Sequence, residues 1–148
     1  MLVSVAGACS RSGKTAAAVS VLGALPSGGA AAVKFTTTDD VFERCPRGSP
    51  CIVCNIDVPF RIVEDPGVLR EAGTDTDRLA AAGAARLIWT IARTGAAEAA
   101  WTRVAAMIAR YDTAVMEGST VVDLARPELL LFEWAPELAE RVRARVPE

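Results

Sequence analysis

The sequence has no histidine, and its 148 residues include a single tyrosine. Without an imidazole there is no Ser-His or Cys-His nucleophile system, no His general base and no nitrogen ligand of the usual kind for a metal. Any chemistry must therefore come from carboxylates, lysines, arginines, hydroxyls, thiols or a bound metal. Charge of one sign is also lacking: 16 basic against 18 acidic residues give a formal net charge of -2. Such a chain offers no basic field to a nucleic acid or an anionic bilayer, so neither is expected as a partner. Every apolar stretch is broken by Arg, Lys, Glu or Pro before reaching the roughly 20 residues of a membrane span. The opening "LVSVA" is strand-like rather than a charged-then-apolar leader, and a cytoplasmic protein is expected. Repeats and low-complexity tails are absent.

What is present is an alternation of short β-rich runs with longer alanine-rich ones. That rhythm predicts an α/β fold, a mainly parallel sheet with helices on both faces, built as one domain over residues 1–148 around one core. Strands are expected at 2–6, 31–35, 86–91, 113–116 and 129–132, each short and nearly all apolar, as for strands covered on both faces. A first helix is expected over 13–25, ending at "PSGG". Between 97 and 110, Trp101, Val104, Ala105 and Ile108 fall on one helical face, so Trp101, like Trp89, is read as core packing. The exception is 36–74, rich in Pro and Gly and holding three of the four cysteines. An apparently structureless segment of that length in a small domain points to function or mobility.

The stretch "GACSRSGKT" sits between the first strand and the first helix. Strand, small-residue turn and helix N-terminus together make an anion site, because unpaired N–H groups and the positive dipole end face the ligand. A nucleotide would lie along Ala8, Cys9, Ser10, Arg11, Ser12, Gly13, Lys14, Thr15 and Ala16. Lys14 would reach its β- and γ-phosphates, and Thr15 would place a hydroxyl on Mg²⁺. The first glycine of the usual G-x-x-x-x-G-K-[ST] pattern falls on Ala8, with Gly7 one place early; the alternative is an incidental Gly-Lys-Thr at a helix start. Glu117, closing the strand in "RYDTAVMEGST", would project into the same crevice and hold Mg²⁺ directly or through water, the alternative being a surface carboxylate. Gly118 beside it implies that backbone passes close to something there.

"GACSRSGKT", "AAVKFTTTDD", "AGTDTDRLAAAGA" and "YDTAVMEGST" occur in this order. The series resembles the motifs of the MobB-like P-loop proteins, the GTP-binding accessory family of molybdopterin guanine dinucleotide synthesis, which belongs with dethiobiotin-synthetase-like and CobQ-like proteins. In that family the first phosphate-loop position is commonly alanine, as Ala8 is here. Lys34, Thr36 and Asp39 match the residues after its second strand; Gly73, Asp75, Thr76, Arg78, Ala82, Gly83 and Ala84 match its Gly-x-Asp-Ser, Arg, Ala-Gly-Ala series; Glu117 and Gly118 match its Glu-Gly. Thr37 and Thr38 stand where the family has histidines, and an insertion over about 40–72 replaces a short connection. The extra lysine of related dimeric ATPases has no counterpart, since Cys9 occupies its place.

The insertion carries "CPRGSPCIVC". A Cys-x-x-Cys pair with a third cysteine among Pro and Gly is the spacing of a metal knuckle, so Cys45, Cys51 and Cys54 are read as ligands of an iron-sulfur cluster or of Zn²⁺. A redox pair of Cys51 and Cys54, or inert thiols, are the other readings. The fourth ligand would be Cys9, Asp57, a substrate or a cysteine of a second subunit, and a homodimer is expected. The function these features imply is a P-loop ATP or GTP hydrolase or phosphotransferase, an accessory factor in metal-cofactor biology that works with a metalloenzyme or cofactor-synthesis partner. Lys14, Thr15, Mg²⁺ and Glu117 would neutralise charge while Asp39 or Asp40 orients water or a substrate hydroxyl. The competing functions are a nucleotide-gated adaptor with little turnover, and a dethiobiotin-synthetase-like ligase or small-molecule kinase in which Lys34 holds a carboxylate.

Overall fold

The computed structural model describes residues 1–8, 12–38 and 56–134. Among them, six strands form one sheet in the order β3-β4-β2-β5-β1-β6, where β1 is Leu2–Gly7, β2 Ala30–Thr37, β3 Phe60–Val63, β4 Arg86–Ala92, β5 Thr113–Glu117 and β6 Leu129–Glu133. All neighbours are parallel except β3, which runs antiparallel to β4 at one edge. The five strands expected from the sequence are present. The sixth, β3, was not foreseen: it lies within the segment read as structureless, as does helix α2 (Pro66–Leu69), capped by the Asp65 carboxylate accepting from the Gly67 N–H at 2.7 Å.

Side-chain alternation along the strands builds a core on each face. On one, Val3, Val5, Ala30, Ala32 and Val115 pack against Ala18 and Leu22 of helix α1 (Lys14–Ala24) and Leu79 of helix α3 (Asp75–Ala81). On the other, Ala31, Val33, Phe35, Ile88 and Met116 pack against helix α4 (Ala97–Ile108) and the short helix α5 (Val122–Ala125). The buried line of α4 is Ala97, Ala100, Val104 and Ile108. Trp101 packs on this core half-buried, a slight rotation of the expected face that puts the two small alanines against the sheet. Trp89 covers the cluster of Ile56, Val63, Leu69 and Ile91, its indole N–H donating to Thr36 Oγ1 at 3.0 Å.

α1 begins and ends where local chemistry requires. Gly13 precedes it with φ 99°, a left-handed conformation that a Cβ strains. At the other end Leu25 is extended (ψ 157°), as the residue before Pro26 must be. The strand expected over 129–132 departs from the doubly covered pattern. It is an edge, and Leu129, Leu130 and Phe132 are exposed. Its start is tied to β1, where Glu128 Oε2 accepts from the Leu2 N–H at 2.6 Å and the Glu128 N–H donates to the Leu2 carbonyl at 3.1 Å. No helix among the described residues is long and apolar enough to cross a membrane.

Candidate functional site at the carboxyl ends of β1 and β5

β1 and β5 are neighbours, yet the chain leaves them toward opposite faces: β1 runs into α1 on one face, β5 into α5 on the other. Such a divergence opens a crevice beyond the strand ends, the usual place for a ligand in an open α/β sheet. Gly7 and Ala8 enter it from β1 and "EGST" from β5. The two are stitched together, because the Ser119 hydroxyl accepts from the Gly7 N–H at 3.0 Å and donates to the Gly7 carbonyl at 2.9 Å, and the Gly118 N–H donates to the Val5 carbonyl at 3.1 Å. On the far side the Ala8 N–H donates to the Glu133 carbonyl at 3.2 Å.

Ser12 and Lys14 come back close to Gly7. A Cβ on Gly7 would collide with Ser12 Oγ and lie 3.0 Å from Lys14 Cγ and 3.1 Å from the Glu133 carbonyl oxygen, so Gly7 is fixed by close approach. Gly13 turns the chain into α1, whose first intrahelical bond runs from the Ala17 N–H to the Gly13 carbonyl at 3.0 Å. No side chain among the described residues caps this end, and its first turn carries no acid. The opening N–H groups of an 11-residue helix thus face the crevice, with the Lys14 ammonium held 3.2 Å from Ser12 Oγ and a Glu133 carboxylate oxygen 3.6 Å from where a Cβ on Gly13 would stand.

Period-2 geometry brings the remaining groups together. Glu117 shares a face with Val115, and Lys34 with Ala30 and Ala32, so both point to the face that α1 covers. Lys34 and Glu117 are register partners on adjacent strands. The buried Glu117 carboxylate accepts from the Thr15 hydroxyl at Oε2 (3.0 Å) and from the Lys34 ammonium at Oε1 (3.0 Å). Lys34 also donates to Asp75 Oδ2 at 2.8 Å. Asp75 opens α3, which Thr74 caps by accepting from the Asp77 N–H at 3.1 Å. Partial burial pushes the Asp75 carboxyl up, but Lys34, the Thr15 hydroxyl and the charge of Arg78 outweigh it and hold its pKa below the ordinary value.

Of the residues singled out from sequence, Ala8, Ser12, Gly13, Lys14, Thr15 and Ala16 line this strand-to-helix turn, and Glu117 meets Thr15 across the strand gap. Cys9, Ser10, Arg11, Asp39, Asp40, Cys45, Cys51 and Cys54 lie outside the described residues. Asp57, a candidate fourth ligand for the cysteines, is exposed and paired with Arg61 at 3.3 Å. Gly118 does have a close neighbour, but it is Phe35: a Cβ would lie 2.7 Å from that residue's carbonyl oxygen. Sequence reasoning missed the clamp made by Ser119 and the bridging of Glu117 and Asp75 by Lys34. The first has no motif, and the second depends on strand order. Among the described residues no three His, Cys, Asp or Glu side chains gather as a metal site; the hard oxygen donors around Lys34 include the Glu117 and Asp75 carboxylates and the Thr15 hydroxyl. Compared with family models, curated proteins and solved structures, the chain finds no match in any of the three.

Proposed function

We propose that this chain is a P-loop nucleotide-binding protein that hydrolyses ATP or GTP or transfers its terminal phosphoryl group. The observation that carries the reading is the 3.0 Å hydrogen bond from the Thr15 hydroxyl to the buried Glu117 carboxylate. It joins the start of the helix after a small-residue turn to an acid ending the adjacent parallel strand. An oxygen set of this kind suits Mg²⁺, which takes a few hard protein ligands and completes its shell with water and phosphate. Thr15 and Glu117 would hold it, with Asp75 next to them, and the ion would offset phosphate charge. The α1 N–H groups and Lys14 would bind the phosphates, and the Glu133 and Ser119 contacts would keep the loop from spreading.

The accessory role in metal-cofactor biology, a metalloenzyme partner, a homodimer and an iron-sulfur or zinc site at Cys45, Cys51 and Cys54 belong to the same proposal and rest on the sequence. The reading is tested by phosphate release. Purified protein should release phosphate from ATP or GTP only when Mg²⁺ is present. Failure to bind or turn over either nucleotide refutes it.

A further inference from the structure

Lys34 has no part in phosphate binding as described above, yet its ammonium lies between the Glu117 and Asp75 carboxylates. It bridges Glu117 Oε1 at 3.0 Å and Asp75 Oδ2 at 2.8 Å, with side-chain exposures of 15% for Lys34 and 6% for Glu117. We propose that Lys34 is an exchangeable counter-cation, holding Glu117 and Asp75 together in the metal-free chain and competing with a divalent cation for those carboxylates.

Charge and geometry carry the inference. Two carboxylates and one ammonium carry one net negative charge, which the Arg78 guanidinium near Asp75 offsets in part. A dication added to the intact triad would overshoot to one positive charge and set two cations against the same lone pairs, where like charges repel. The ammonium is the mobile member. Its head is a compact charge on a flexible four-carbon stem, while Glu117 is pinned by Thr15 on its other oxygen and Asp75 by the capped start of α3. The backbone of Lys34 is fixed in β2, between β4 and β5, so the head can withdraw with no change in the sheet. As a result, metal alone binds weakly, and loading depends on the extra attraction of the nucleotide's phosphates. That last consequence rests on the proposed nucleotide site; the competition itself does not.

The test is binding of Mn²⁺ alone, followed by electron paramagnetic resonance without nucleotide. Lys34→Met removes the ammonium and keeps the length of the stem; it should bind Mn²⁺ at least tenfold more tightly than the wild type, while Lys34→Arg should show no such gain. Equal or weaker Mn²⁺ binding by folded Lys34→Met overturns the proposal and makes Lys34 a permanent structural tie. If Lys34→Met does not fold, the wild-type ¹⁵N-labelled lysine ammonium signal decides. It must shift as Mg²⁺ saturates the site, and a signal that stays put overturns the exchange. Neither readout contains nucleotide, so failure to bind ATP or GTP would refute the phosphate site and leave the exchange result intact.

Discussion

Replacing Gly118 with alanine isolates the packing that positions Glu117. Its added Cβ would meet the Phe35 carbonyl oxygen at 2.7 Å and Phe35 Cβ at 3.0 Å, against a favourable separation of about 3.5 to 4 Å. The nearer neighbour is backbone of a strand hydrogen-bonded on both sides, to β4 and to β5, so it cannot give way as a surface side chain would. Gly118 has no positive φ, and torsional strain adds nothing to the steric one. Overpacking of this kind costs about 1–3 kcal/mol, and an immobile backbone contact places it in the upper half, about 2–3 kcal/mol. For a chain of this size, with about 2–4 °C lost per kcal/mol, the melting temperature should fall by roughly 4–12 °C. Urea unfolding followed by circular dichroism, without nucleotide, measures the loss; the midpoint should drop with the slope unchanged. A change below about 0.5 kcal/mol would refute the packing argument.

Two further outcomes follow from the same geometry. Glu117→Gln should lower Mg²⁺-dependent phosphate release by about 10²-fold or more while changing nucleotide affinity far less, since a carboxylate beside the metal acts mainly on charge that develops during transfer; an unchanged rate returns Glu117 to a structural role. Glu128 is held below the ordinary carboxylate range chiefly by the Leu2 N–H that its side chain accepts. A depressed carboxyl contributes stability that is complete above its unfolded value and is lost as pH falls through the folded one. Acid unfolding of Glu128→Gln should therefore lack this part of the pH dependence. An NMR titration that finds the Glu128 carboxyl at or above its ordinary value contradicts the assignment.

The strands of the parallel sheet were legible because β1, β2, β4 and β5 are buried runs bounded by turn residues. The edge strands were less so. "FRIV" is four residues with an arginine at its second place, too short and mixed for periodicity to register, and "LLLFE" reads as a covered strand although it is an exposed edge. The seven-residue α3 is also too short to show a helical period. The helix start was local and visible, since Gly13, Lys14 and Thr15 are adjacent in the chain. The contact of Lys34 with Glu117 was not, because it appears only once β5 is known to insert between β1 and β2. The resemblance that lists Lys34, Asp75 and Glu117 could not say that one ammonium bridges both acids.

The most direct test of the nucleotide-site claim is calorimetric titration of MgATP and MgGTP into the wild type and into Lys14→Ala. Lys14 opens α1 half-buried, so its loss should leave the unfolding midpoint near that of the wild type. The account predicts measurable binding of at least one nucleotide by the wild type and a loss of about tenfold or more in folded Lys14→Ala, as expected when a charged partner of phosphate is removed. Equal affinity in the two proteins, or no binding of either nucleotide by the wild type, would contradict it.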